Sequence, residues 1–146
     1  MSESEDQGND PRENEADQLS AGQYEDPRNP DARVLRDISA GMIRLYKVHF
    51  GREPEVVETH FASPNLLICV LKSSLTPVER SLRDVGETQR LRTIRLVLQH
   101  SAESQFRAIV ETVTGRRVIG FMSGMDVNVD EACEVFTLAP RLEGNS

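Results

Sequence analysis

The sequence has few aromatic residues and no long hydrophobic run, and these absences exclude several classes of protein. It contains no Trp, and only 5% of its 146 residues are aromatic. Its longest strongly apolar run, residues 66–71, has six residues, whereas a membrane-spanning helix needs about 20. The first six residues contain neither a basic nor an apolar segment, unlike a secretory signal. We therefore expect a soluble, cytoplasmic protein with one domain and a modest core.

Cysteine and histidine are also scarce, and their spacing does not indicate a metal or redox site. Cys69 and Cys133 stand 64 residues apart, outside any C-x-x-C pair and inside apolar runs. Such cysteines are typical of buried thiols in a reducing compartment. No histidine has another His or Cys three or four residues away, so we expect no metal and no cofactor.

The motifs of common catalytic and nucleotide-binding sites are missing. GxxxxGK[ST], GxGxxG, GxSxG and HExxH do not occur, so we predict no catalytic residues and no enzymatic activity. Residues 34–146 contain fourteen acidic and fourteen basic residues, which makes this part of the chain neutral. Because it is neutral and poor in aromatic residues, we expect no nucleic-acid binding.

Charge divides the chain into an acidic tail and a neutral domain. Residues 1–33 hold ten Asp or Glu and three Arg, so the tail accounts for the whole net charge of −7. It has almost no large apolar residue, which predicts a disordered tail, followed by a domain over 34–140 and a flexible terminus over 141–146. The tail either serves solubility and spacing or engages a basic partner.

Hydrophobic periodicity and turn residues predict three helices and four strands. The predicted elements are helices over 33–50, 77–85 and 88–114, and strands over 55–61, 66–71, 117–123 and 133–138. The strand over 66–71 is apolar on both faces and is therefore expected at the centre of a sheet, paired with the first strand as a hairpin. A polar connection over 124–130 joins the last two strands. The order α-β-β-α-α-β-β predicts an α+β fold with one four-stranded, mainly antiparallel sheet and helices on one face.

Capping residues mark the ends of the predicted helices. Gly51 and Pro54 end the first helix, and Gly115 ends the last one. The motif Thr76-Pro77-Val78-Glu79 starts the short helix, because Thr76 and Glu79 fit a capping box and Pro77 fits the first helical position.

The long helix has an apolar stripe that admits two interpretations. The stripe residues are Leu91, Ile94, Leu98, Ala102, Phe106, Ile109 and Val113. The stripe either packs entirely on the sheet or leaves an excess that a homodimer through helix 88–114 would bury.

Arginines form the densest charge feature of the domain. They are Arg80, Arg83, Arg90, Arg92 and Arg95. Most of them are expected on a solvated face with local ion pairs, or alternatively in an anion site. Arg95 differs because it lies beside the apolar stripe, where a guanidinium needs a partner. That partner is either a carboxylate such as Glu79 or Glu111, capped carbonyls, a small anion, or a carboxylate of a partner protein.

Four short segments together resemble a known family. They are Gly51-Arg52-Glu53-Pro54, Leu75-Thr76-Pro77-Val78-Glu79, Thr93-Ile94-Arg95 and Thr114-Gly115-Arg116. Their order and spacing over residues 34–139 resemble the MpsC-like family, once catalogued as a bacterial domain of unknown function. The matching residues are Gly51, Pro54, Thr76, Pro77, Glu79, Arg95 and Gly115.

The resemblance implies a bacterial cytosolic protein without established catalysis. Some relatives are named as the third component beside a two-component membrane system, linked to cation-driven membrane potential and inorganic-carbon uptake. We therefore hypothesise an accessory or regulatory protein, cytoplasmic or peripheral to the inner face of the membrane. It would bind a protein partner through the arginine patch, including Arg90 and Arg92, or through the sheet face. The alternative is a homo-oligomeric sensor of a small anion, with Arg95 and Arg52 as ligands.

Overall fold

The computed structural model describes residues 30–141 and confirms the α+β class. The described elements are α1 (Pro30–Phe50), β1 (Val56–Ser63), β2 (Leu66–Lys72), α2 (Pro77–Asp84), α3 (Thr88–Ser101), α4 (Glu103–Thr114), β3 (Val118–Asp126) and β4 (Glu131–Leu138). Apart from residues 30–33, where α1 already begins, the predicted acidic tail lies outside the described residues, and so does the terminus beyond residue 141. No helix in the described part of the chain is long and apolar enough to span a bilayer.

The four strands form one antiparallel sheet in the order β1-β2-β4-β3. The predicted hairpin of β1 and β2 and the central position of β2 are both confirmed. Along β2, Leu67, Cys69 and Leu71 are buried on the inner face, and the residues between them are half-buried on the opposite face. The inner face packs against Met42 of α1 and Phe106 of α4 in the main core cluster, so helices cover this one side of the sheet.

The predicted single helix over 88–114 is wrong, because the helix is interrupted at Ala102. In a continuous helix the Leu98 carbonyl would accept the Ala102 N–H. Instead, the Ser101 hydroxyl donates to that carbonyl over 2.6 Å and His49 Nε2 lies 3.0 Å from it. The Ala102 N–H turns to the Gln99 carbonyl at 3.2 Å. The local hydrogen bonds of Ser101 thus compete with the helical ladder, and α3 ends there.

The last hairpin is longer than its polar composition indicates. The predicted connection over 124–130 is wrong in its first half, since β3 continues to Asp126 and buries Met125 on the inner face. Asp126 then accepts a hydrogen bond from the Asn128 N–H over 3.0 Å. The Asp130 carboxylate accepts from the Ser74 and Leu75 N–H groups at 2.9 and 3.1 Å. Two aspartates therefore tie this turn to itself and to the loop after β2.

Candidate functional site

Arg95 lies in the interior of the domain, between α1, α3 and the loop that follows β2. Its side chain is 0% exposed. One terminal nitrogen donates to the Ser74 hydroxyl over 2.9 Å, and the other lies 3.4 Å from Glu79 Oε1. The guanidinium carbon lies 4.1 Å from the ring centroid of Phe50, which adds a cation–π contact. Arg95 on α3 therefore contacts two segments that are distant in the sequence, Phe50 of α1 and residues 74–79, and Glu79, not Glu111, is the carboxylate beside it.

The Glu79 carboxylate has two functions at this point. Its Oε1 atom accepts the Thr76 N–H over 3.0 Å, and the Thr76 hydroxyl accepts the Glu79 N–H over 3.2 Å. This reciprocal pair is the capping box that the sequence predicts. Because the same oxygen also faces Arg95, the start of α2 is fixed to the buried face of α3.

The buried face of α3 is displaced by one position from the predicted apolar stripe. Arg95 and Gln99 are buried, whereas Ile94 is 50% and Leu98 36% exposed. Arg95 and Gln99 follow Leu91 at steps of four residues and so share its face. The prediction was wrong here because it assigned the buried positions by apolarity, and this face carries polar groups that bond to each other.

Glu134 extends this polar cluster onto the sheet. It occupies an inner-face position of β4 and is 0% exposed. The Tyr46 hydroxyl donates to Glu134 Oε1 over 2.8 Å, and the Gln99 amide donates to the same atom over 3.0 Å. Burial raises the pKa of Glu134 to about 7, although hydrogen bonds from Ser123, Tyr46 and Gln99 oppose the shift.

We call Tyr46, Ser74, Glu79, Arg95, Gln99 and Glu134 the buried polar cluster. Three of its buried atoms, Arg95 Nε, Gln99 Oε1 and Glu134 Oε2, have no hydrogen-bond partner among the described residues. Unpaired buried groups destabilise the fold. The cluster therefore has hydrogen bonds between residues that are distant in the sequence, three unpaired buried atoms, and a carboxyl group with a pKa near neutrality.

The arginines singled out from the sequence do not form one site. Arg90 and Arg92 lie on the exposed side of α3, where Arg90 pairs with Glu87 at 3.4 Å. Arg52 donates to the Ser73 carbonyl over 3.2 Å and to Glu55 over 3.1 Å. Arg52 and Arg95 thus contact neighbouring residues of the loop after β2, but Arg95 has no exposed surface. The anion-sensor hypothesis stays a prediction that requires this loop to move.

The other residues that carry the family resemblance lie at chain reversals and caps. Gly51 and Gly115 have φ values of +81° and +68°, in the left-handed region that favours glycine. Pro77 occupies the start of α2, and Pro54 is buried just after α1. These residues are structural in this geometry.

A second feature is an apolar patch at the centre of the sheet face opposite the helices, beside the polar outward positions Glu58, His60 and Thr137. Strand register places Ile68, Val135 and Met122 side by side across three strands, with Val70 beside Cys133 in the neighbouring row. None of these residues belongs to a core cluster of the described part of the chain, and Met122 is 62% exposed. We call the outward-facing residues Leu66, Ile68, Val70, Met122, Cys133 and Val135 the outer face.

Charged residues border the outer face at one end. Lys72, Glu131 and Asp126 are register partners across this end, and Glu58 pairs with Val70. Lys72 Nζ lies 3.9 Å from Glu58 and 4.0 Å from Glu131. Three carboxylates against one ammonium group leave this border negative.

The exposed apolar residues of α3 bear on the predicted homodimer. Ile94, Val97 and Leu98 lie at helical spacing on its solvent side. A homodimer through residues 88–114 stays a prediction, now confined to the α3 half of that segment because the helix is interrupted.

Sequence reasoning missed Tyr46, Gln99 and Glu134. A signal for Glu134 exists in the alternation of β4, where Ala132, Glu134, Phe136 and Leu138 share the buried face. A signal for Gln99 is its spacing of four residues from Arg95. Tyr46 belongs to the apolar face of α1, and nothing in the sequence indicates that its hydroxyl donates to Glu134.

Comparison with known proteins places the chain in a family. A family model described as "Na+-translocating membrane potential-generating system (MpsC)" matches residues 31–140. No curated protein and no solved structure matches the chain. The match covers the whole domain built around the buried polar cluster and the outer face and confirms the resemblance read from its motifs. The chain belongs to the MpsC family.

Proposed function

We propose that this protein is a non-catalytic accessory protein of a membrane system that generates an ion-dependent membrane potential, and that it binds a protein of that system through the outer face. The family description supports the link to such a system. The observation that carries the proposal is the apolar character of a sheet face that lies opposite the helices.

The outer face has the composition of a buried surface. An antiparallel sheet with one solvated face usually alternates apolar inward residues with polar outward ones. Here the central strand β2 is apolar at both sets of positions, and β3 and β4 add Met122, Cys133 and Val135. Contiguous apolar surface of this kind is characteristic of interaction sites.

Two glycines of β3, Gly120 and Gly124, place no side chain on the outer face. Gly120 and Gly124 are register partners of Thr137 and Cys133. A Cβ atom at Gly124 would lie 3.3 Å from Cys133 Sγ, and one at Gly120 would lie 3.2 Å from Thr137. Without side chains at these two positions, the backbone of a partner can approach the sheet closely.

The charged border indicates the chemistry of the partner. Two copies packed face to face with these ends together would bring the carboxylates of Glu58, Asp126 and Glu131 into a shared, partly desolvated border, which disfavours that arrangement. A segment with apolar residues beside Lys or Arg fits both the face and its border. Cytoplasmic segments next to membrane helices have this composition, because Lys and Arg are enriched there. We therefore propose the cytoplasmic segment of a membrane protein as the partner, with this protein peripheral to the inner face of the membrane.

Affinity capture from detergent-solubilised host membranes tests the proposal, using tagged wild-type protein, Met122→Glu and Val48→Glu. Both substituted residues are exposed, at 62% and 85%, so both variants should fold. Val48 lies on α1, away from the sheet, and is the matched control. We expect one membrane protein to be captured by wild type and Val48→Glu and lost with Met122→Glu. Equal capture by all three proteins, or loss with both variants, would overturn the assignment of the outer face.

A further inference from the structure

A basic cleft lies at one end of the sheet, where α4 passes into β3 and the chain leaves β4. It has a volume of about 710 Å³ and is lined by Arg116, Arg117 and Arg141 together with Thr114, Gly115 and Pro140. Among the residues that the structure describes, no acidic side chain lines it. The cleft takes no part in the buried polar cluster or the outer face.

Arg116 is held in place by neutral groups. Its guanidinium donates to the Pro64 carbonyl over 2.8 Å, to Asn65 Oδ1 over 2.6 Å and to the Ala139 carbonyl over 2.8 Å. These acceptors orient the cation without cancelling its charge. Burial lowers the pKa of Arg116, and the positive charge of Arg141 lowers it further.

The positive charges of several other arginines of the domain are paired with carboxylates. Arg52, Arg83, Arg90 and Arg107 each have a carboxylate within 3.4 Å. Arg117 is exposed and has no ion-pair partner among the described residues. Its backbone carbonyl accepts the Ala139 N–H over 2.8 Å, which fixes its position beside the cleft. Arg116 and Arg117 therefore place two positive charges at the basic cleft, with no acidic side chain in the described part of its lining.

We propose that the basic cleft binds a phosphate group, carried either by the headgroup of an anionic phospholipid or by a soluble phosphate. Arginine forks match the oxygens of phosphate and bind them through charge-assisted hydrogen bonds. Arg116 supplies a fixed cation at the cleft wall, and Arg117 supplies an exposed fork that can close on the ligand. This site is independent of the proposed binding through the outer face.

Two binding measurements distinguish the sources of the phosphate group. Inorganic phosphate and pyrophosphate are titrated into the protein and followed by NMR chemical shifts of the Arg116 and Arg117 amides. Flotation with vesicles containing phosphatidylglycerol is compared with flotation with phosphatidylcholine vesicles. The variants are Arg117→Gln and, as matched control, Arg90→Gln, which removes an exposed arginine outside the cleft.

We expect Arg117→Gln to weaken binding about tenfold, the effect of losing one charge-assisted hydrogen bond, and Arg90→Gln to leave it unchanged. Saturable binding of phosphate or pyrophosphate identifies a soluble ligand. Binding confined to phosphatidylglycerol vesicles identifies a lipid headgroup. Absence of binding in both measurements, or equal weakening by both variants, would overturn the proposal. A thermal midpoint equal to that of wild type confirms that each variant is folded.

Discussion

Glu134 should make the stability of the domain fall as the pH rises towards neutrality. Its pKa in the folded protein is about 7, raised from 4.5 by burial. Between these two values the unfolded chain has released the proton and the folded chain still binds it. The free energy of unfolding therefore decreases by about 1.4 kcal/mol for each pH unit, or about 3 kcal/mol over the whole interval. The stabilisation is complete below pH 4.5 and lost above about pH 7.

Glu134→Gln isolates this effect. The Gln side chain has the same shape and can still accept hydrogen bonds from Tyr46 and Gln99, but it does not titrate. Urea unfolding of both proteins between pH 5 and pH 8.5 gives the difference between their free energies of unfolding. Groups that titrate alike in both proteins do not contribute to this difference. We expect the variant to gain about 3 kcal/mol on wild type as the pH rises from 5 to 8. The charge of His100 also acts on Glu134 and lowers its pKa.

A constant difference between the two proteins across this pH range would refute the reasoning, since it would mean that Glu134 has the same pKa in the folded and unfolded states. Glu58→Gln on the opposite side of the sheet serves as the control. It leaves Glu134 in place, so it should keep the pH dependence of wild type.

Three further substitutions test the structural account by chemical denaturation. Arg95→Ala removes the cation that joins Ser74, Glu79 and Phe50 and should lower the free energy of unfolding by about 3 kcal/mol or more. A loss below about 1 kcal/mol would show that the contacts of Arg95 with these residues do not stabilise the fold. Thr76→Ala breaks the capping box and should cost about 1 kcal/mol, whereas an unchanged midpoint would mean that α2 does not depend on its cap. Gly115→Ala places a Cβ on a residue with φ of +68° and should cost about 1 kcal/mol, and a stabilising effect would contradict that backbone conformation.

Much of the fold could be predicted from the sequence because the capping residues and the hydrophobic pattern indicate the same elements that pack in the structure. The capping motif at Thr76 and the glycine after α4 gave helix ends within one or two residues. The doubly apolar strand β2 gave its central place in the sheet. The interruption at Ala102 could not be predicted, since it depends on hydrogen bonds of Ser101 and His49 to one carbonyl, and His49 lies 49 residues from Leu98.

The buried polar cluster could be predicted only in part. Periodicity placed Arg95 near the buried face, and the structure places Glu79 beside it. Its remaining members depend on contacts across long sequence separations, such as the 88 residues between Tyr46 and Glu134. The sheet face was predicted as a candidate binding surface, but its residues could not be named, because they come from three strands and only the register brings them side by side.

If the outer face binds a membrane partner, that partner covers the thiol of Cys133. Cys133 is half-buried on this face and burial raises its pKa, whereas Cys69 is fully buried in the core with its pKa raised to about 12, so Cys69 serves as the less reactive internal reference. The measurement is the rate of alkylation of Cys133 by N-ethylmaleimide, followed by mass spectrometry, with host membranes or with protein-free vesicles. We expect slower alkylation with host membranes for wild type and Val48→Glu, and no slowing for Met122→Glu. An unchanged rate for wild type in the presence of membranes that contain the MpsC-type system would mean that no partner covers the outer face.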